Sequence, residues 1–247
     1  MYSSMDRTVT AKIRLYVEHP LGQGQSVPLT RAQAHYLFGV MRLSVGAEIL
    51  VFDGQSGEWL AEVAEAGKRG GSLLIAGQTR VLQLPPDLWL VFAPVKKART
   101  DFIVEKATEM GAARILPVQT DFTNSGRIQR DRLQAHVVEA AEQCGATYVP
   151  EVAEMVKLER LLADWENTRK IFFCDEGQAG SAGTPLSGAG PSALLIGPEG
   201  GFSDRERQWL SARNDTEVIS LGPRILRADT AAVAALTLWQ STLGDWK

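Results

Sequence analysis

From residue 88 onward the chain alternates short apolar runs with amphipathic stretches of helical period, and that rhythm leaves few architectures open. Apolar runs at 88–95, 115–118, 171–174, 193–196 and 217–221 predict strands. Between them, 98–110, 127–143, a stretch opening at Ser203 and a last one carrying Leu236, Trp239 and Leu243 predict helices. Strands alternating with helices imply a mostly parallel sheet covered on both faces. The 98–110 helix sets Phe102, Ile103, Lys106, Ala107 and Met110 along one side, with Gly111 placed to end it. Ser203-Asp-Arg-Glu206 matches a capping box. Asp229 or Thr230 is expected to cap the last helix. The Gly-, Ala- and Ser-rich stretch 176–191 reads as a mobile loop.

The first third has a different grain. Strands are predicted at 13–17, 47–52, 59–63 and 72–79, with hairpin-turn chemistry in Asp53-Gly-Gln-Ser-Gly57. One helix is predicted over 30–43, with Thr30 as its N-cap. Pro85-Pro86 separates this small barrel-like unit from the strand–helix region, so the expected domains are 1–84 and 85–247.

Bulk properties exclude several function classes. No apolar run among the 247 residues approaches a membrane span, and residues 1–10 lack the apolar core of a secretory signal. Cys144 and Cys174 are far apart and lack metal-type spacing; His19, His35 and His136 are scattered, so no metal is expected and a reducing cytoplasm is. Neither a nucleophile elbow, a Walker loop nor an H-E-x-x-H motif occurs. The net charge of −3 divides into 8 basic and 7 acidic residues in 1–84 against 18 and 22 in 85–247. Any nucleic-acid contact must therefore come from local patches. Lys96, Lys97 and Arg99 form one, and Arg127, Arg130 and Arg132 a second.

Two C-terminal stretches carry the chemistry: Leu194-Leu-Ile-Gly-Pro-Glu-Gly-Gly-Phe-Ser-Asp-Arg-Glu206 and Leu221-Gly-Pro-Arg-Ile-Leu-Arg-Ala-Asp-Thr-Ala231. Each reads as a strand ending in a Gly-Pro turn that opens onto a helix. In open α/β sheets that edge is where ligands bind. Adjacent glycines admit a flat ring or a carboxylate to the backbone. The Ile225-Leu226 pair offers an apolar slot beside Arg224 and Arg227.

These turns resemble those of the RsmE family of ribosomal RNA methyltransferases, in the SPOUT class. The likeness extends to Glu105-Lys-Ala-Thr-Glu-Met-Gly111, Glu139-Ala-Ala-Glu-Gln-Cys144, Arg14-Leu-Tyr16 and Val40-Met-Arg-Leu43. It implies a PUA-like β-barrel followed by a SPOUT parallel-sheet domain with a trefoil knot around residues 221–231. It also implies a cytoplasmic homodimer that uses S-adenosylmethionine to methylate N3 of one uridine in small-subunit (16S) ribosomal RNA, free or in the 30S subunit. Carried over by position, Ile196, Gly197, Glu199, Gly200, Leu221, Gly222, Ile225, Leu226, Thr230 and Ala231 would border the cofactor. The strand end at Cys174-Asp175 would supply a third loop.

Uridine N3 carries a proton, so a neighbouring cation is needed to favour its anion. Arg227 and Arg14 are the catalytic candidates, with Glu142 a weaker one as proton acceptor and a structural role its stronger reading. Arg14, Arg42, Lys96, Lys97, Arg99, Arg127 and Arg130 are the expected RNA contacts. The chain departs from the family where Gly145-Ala-Thr147 replaces an arginine-bearing stretch and Asp121-Phe122 replaces an E-R pair. Three alternatives stay open: a SPOUT ribose 2′-O-methyltransferase acting on tRNA, a non-catalytic RNA-binding ribosome-assembly factor, and a nucleotide-binding α/β protein.

Overall fold

A computed structural model of the chain describes residues 11–178, 186–188 and 190–246. Residues 1–10 and half of the predicted loop 176–191, namely 179–185 and 189, thus lie outside the described residues. Two compact units divide the chain, the first running to Leu84 and also including Glu142–Tyr148.

The first unit is one curled mixed sheet of β1 (Arg14–Tyr16), β2 (Ser26–Pro28), β3 (Glu48–Phe52), β4 (Glu58–Ala66) and β5 (Gly71–Arg80), in the order β1-β3-β4-β5-β2. β1 runs parallel to β3, and the other pairs are antiparallel. Alternate residues Ile49, Val51, Ala61, Val63, Leu73 and Ile75 point into a shared core. In the hairpin turn Asp53 Oδ1 accepts from the N–H groups of Gln55 (2.9 Å) and Ser56 (2.7 Å). β2 is absent from the sequence expectation, because three residues ending in proline carry no readable alternation.

The expected helix 30–43 is corrected. Thr30 does cap α1 (Arg31–Ala34), reciprocally with Gln33, but His35–Val40 then winds as a π-helix. Met41 N–H donates to the Tyr36 carbonyl five residues back (2.9 Å), and Leu37 is buried.

Glu58 organises this unit. Its carboxylate accepts from Arg14 Nε (2.7 Å), from Arg80 (3.1 and 3.0 Å) and from Thr79 Oγ1 (3.0 Å). Arg14 also donates to the carbonyls of Glu142 (2.9 Å) and Ala146 (2.8 Å) and lies over the Phe52 ring, 4.5 Å from its centroid. Arg80 donates to the Gly145 carbonyl (2.6 Å), and Tyr16 N–H to Glu142 Oε1 (2.8 Å).

The second unit carries β6 (Leu88–Phe92), α2 (Lys97–Glu109), β7 (Arg114–Gln119), α3 (Arg130–Cys144, whose last three residues belong to the first unit), β8 (Glu151–Val152), β9 (Val156–Lys157) and α4 (Leu158–Ala163). It continues with β10 (Lys170–Cys174), β11 (Ser192–Ile196), α5 (Asp204–Ser211), β12 (Thr216–Ile219) and α6 (Ala228–Thr242). All its strands pair in parallel, in the order β12-β10-β11-β6-β7-β8, with β9 also on β7. One face, with Leu90, Phe172 and Leu194, packs on α2, α3 and α6. The other, with Val91, Phe173 and Leu195, packs on α4 and α5. The resulting three layers are what near-continuous apolar strands require.

Three local expectations change. α3 begins at Arg130 rather than 127. Phe102 is exposed and Val104 buried, so the inward stripe of α2 lies one residue over from the expected one. α6 starts at Ala228 with Arg227 as N-cap and no capping side chain, because Asp229 and Thr230 already lie inside its first turn.

Burial works against the charge of Glu58, but hydrogen bonds from Arg14, Arg80 and Thr79 outweigh it and hold its pKa below the usual 4.5. Its contribution to stability is therefore complete above about pH 4.5 and is lost as the pH falls through the depressed value. Replacing Glu58 with glutamine deprives Arg14 and Arg80 of their shared carboxylate and should cost about 3 kcal/mol in urea unfolding at pH 7. That difference should shrink as the pH is lowered through the acid range; a difference independent of pH would contradict the assignment.

Candidate active site

Hydrogen-bond register sets the site. Cys174 pairs with Ile219 on one side and Ile196 on the other, and Ile196 pairs with Phe92. β12, β10, β11 and β6 therefore stop level, and the loops leaving them emerge along one edge. Between the first three lies a cleft of about 540 Å³, measured out to its open mouth.

Three loops wall the cleft. After β10 come Cys174, Asp175 and Glu176. The turn after β11 gives Ile196, Gly197, Pro198 and Glu199. The stretch after β12 gives Leu221, Gly222, Arg224, Ile225 and Leu226, with Ala228 and Ala231 from α6 at the back. Burial pushes the Cys174 thiol pKa up, so this residue is an apolar wall and not a nucleophile. Ile225 is 76% exposed although it lines the cleft, an apolar side chain standing at the mouth.

Charge ties the walls together. Arg207 of α5 donates to Asp175 Oδ1 (3.0 Å) and to Glu176, whose Oε1 also accepts from Phe202 N–H (3.2 Å). Burial opposes the charge of Arg207, but Asp175 and Glu176 more than offset this and raise its pKa. Ser203 and Glu206 close the expected capping box of α5. Arg99 of α2 bridges Glu199 and Asp229 (3.7 Å to the latter).

Two glycines are demanded by geometry. A Cβ on Gly197 would stand 2.5 Å from the ring of Phe202, which is fully buried and meets Phe173 edge-on at 4.8 Å. Gly222 has φ +112, yet a Cβ there would meet no protein atom within 4 Å. The space beside that backbone belongs to the cleft, which suits a flat ring lying against Leu221, Leu226 and Ala231.

Comparison with known proteins reaches the same place. Residues 82–240 match the RNA methyltransferase domain family and residues 29–75 the RNA methyltransferase PUA domain family. A ribosomal RNA small subunit methyltransferase E from Synechocystis sp. is 31% identical over 85% of this chain and 71% of its own length. The one from Rickettsia conorii is 28% identical over 90% and 93%. The chain belongs to the RsmE family. A crystal structure of that enzyme from Neisseria gonorrhoeae, bound to S-adenosyl methionine, superposes with a TM-score of 0.86 at 26% identity, covering 95% of this chain and 99% of the other.

Within this RsmE fold, eight of the ten residues expected at the cofactor line the cleft: Ile196, Gly197, Glu199, Leu221, Gly222, Ile225, Leu226 and Ala231. Gly200 and Thr230 do not. Gly200 faces Phe122 instead, and Thr230 is exposed and donates its N–H to Asp229 (3.0 Å). Arg227 is exposed and does not itself line the cleft, although its neighbours Leu226 and Ala228 do, and it holds no carboxylate among the described residues. Arg14 is corrected: its donors are engaged by Glu58 and two backbone carbonyls, which gives it a framework role in the first unit. Glu142 accepts from Tyr16 N–H, a structural role.

Among the expected RNA contacts, Arg99 is tied to Glu199 and Asp229, and Arg130 to the Val152 carbonyl (2.9 Å) and Asp131 (3.2 Å). Lys96, Lys97 and Arg127 are exposed. Arg42 is exposed with φ +58. Glu176, Pro198 and Ala228 are cleft residues that the sequence does not single out; only adjacency to a motif could flag the last two. Among the described residues no His, Cys, Asp or Glu cluster suits a metal, and no helix is long and apolar enough to cross a membrane.

Gly197→Ala must displace Phe202 or the strand end, and should cost about 1–3 kcal/mol in urea unfolding. A variant as stable as the parent would show that the turn does not pack as described.

Proposed function

We propose that this protein methylates N3 of a uridine in small-subunit ribosomal RNA with S-adenosylmethionine, working as a cytoplasmic homodimer as its family resemblance implies. The observation that supports this reading is the cleft itself: three level strand ends, two carrying the family's Gly-Pro turns, in a fold whose relative from Neisseria gonorrhoeae was crystallised with the cofactor. The residues suit that ligand. Ile196, Leu221, Leu226 and Ala231 make an apolar slot for adenine, and Glu199, Asp175 and Glu176 supply acceptors for ribose and for a cationic ligand. When bound, S-adenosylmethionine supplies an electrophilic methyl group on a sulfonium. The knot expected around residues 221–231 accords with the chain path: β12 lies at the sheet edge, yet α6 returns to pack on α2 and β11.

Most of the catalysis is then positioning. Arg227 caps the N-terminus of α6 next to cleft-lining Leu226 and Ala228, and there its charge and the partial positive charge of the helix end favour an N3 anion over the protonated base. Arg224, in the cleft wall, adds to that field.

Purified protein given labelled S-adenosylmethionine and small ribosomal subunits lacking the modification should yield 3-methyluridine on nucleoside mass spectrometry. A 2′-O-methylated nucleoside would favour the ribose alternative, and no methylated product the assembly-factor one; either overturns the proposal. Arg227→Ala should lower the single-turnover rate about 100-fold with cofactor affinity unchanged. A near-normal rate at saturating RNA would remove Arg227 from the mechanism.

A further inference from the structure

The sheet that builds the cleft builds something beside it. β11, β6 and β7 are neighbours, so the loops after them are neighbours too. A groove of about 620 Å³, measured out to its mouth as for the cleft, lies between those loops and is lined by Lys96, Lys97, Asn124 and Ser125, and by Pro198 and Glu199 of the cleft wall itself. Val95, Lys97 and Ser125 also line an adjoining cavity of about 840 Å³, which adds Arg127 and Arg132. Lys96 and Arg127 are exposed and hold no carboxylate among the described residues.

Phe122 stands on the loop after β7 with 47% of its surface exposed, beside Gly200 of the cleft turn. Its exposure is built in. Asp121 N–H donates to Glu206 (2.9 Å), Asp121 accepts from Ser203 Oγ (2.6 Å) and Arg205 (2.9 Å), and Thr120 bonds Thr123 Oγ1 (2.8 Å). The backbone on both sides of the ring is thus tied down while the ring is held out. An isolated exposed aromatic carries little meaning. A ring held out beside the Pro198–Gly200 turn, on the same loop whose Asn124 and Ser125 line the cationic groove, matches the way single-stranded nucleic acid is bound, bases on a π-face and phosphates on cations.

We propose that Phe122 is the stacking platform for an unpaired base next to the methylated uridine, and that the groove of Lys96, Lys97 and Arg127 takes the adjoining phosphates. This rests on the RNA substrate proposed above. It also gives a role to the departure at Asp121-Phe122: this chain grips RNA there by stacking.

The test measures binding apart from turnover. Small ribosomal subunits lacking the modification are titrated by filter binding with the full chain and with Phe122→Ala and Phe122→Trp. Loss of the ring should weaken binding about ten-fold, and tryptophan should restore it. Cofactor affinity should stay unchanged in both, and KM for the subunits should rise with kcat retained. Lys97→Ala should reduce the slope of log affinity against log salt by about one contact. Unchanged RNA binding in Phe122→Ala would overturn the proposal. A parallel loss of cofactor affinity would also overturn it, by showing that Phe122 merely supports the Pro198–Gly200 turn. If the unaltered protein bound the subunits but formed no 3-methyluridine, the proposed reaction would fail, while the binding comparison would still decide the role of Phe122.

Discussion

Parallel register is the constraint on which the site depends. Ile219, Cys174, Ile196 and Phe92 lie level across four strands, so the segments leaving them have to share one edge. No single loop makes a cavity. The cleft arises because three chain exits, separated by tens of residues in sequence, are brought side by side by backbone hydrogen bonds. The same geometry carries the loops after β6 and β7 to the adjoining groove, so a small-molecule cleft and a cationic surface both result from one packing decision.

Ion pairs do the holding. Arg207 clips Asp175 and Glu176, and through Phe202 N–H it fixes the first wall to the second. Arg99 joins the second wall to α6 through Glu199 and Asp229. In the first unit Glu58 performs the equivalent task between Arg14 and Arg80. A carboxylate held by two guanidiniums costs desolvation and becomes favourable only when every donor finds an acceptor, which is why Arg14 also reaches two backbone carbonyls. An arginine so engaged is a framework element.

Legibility in the sequence tracks the length scale of each signal. The strand–helix alternation, the capping box at Ser203 and the two turns are readable because each is a local pattern with a local cause. Two-residue strands such as β8 and β9 carry no period, and the π-helix at His35–Val40 cannot be told from an α-helix by composition. Side-chain partnership is the least legible property. Arg14 and Arg227 look alike in sequence, yet one meets Glu58 and the other is exposed between two cleft-lining residues. Gly200 sits within the cofactor motif but faces Phe122. Those distinctions depend on which distant segments fold together.

Ultraviolet cross-linking of radiolabelled S-adenosylmethionine, combined with peptide mapping, tests the three-loop cleft most directly. Label should fall in the peptides spanning residues 192–203 and 219–231, and excess unlabelled cofactor should abolish it. Saturable label confined to peptides from the first unit, or to the α2–α3 region, would contradict the account.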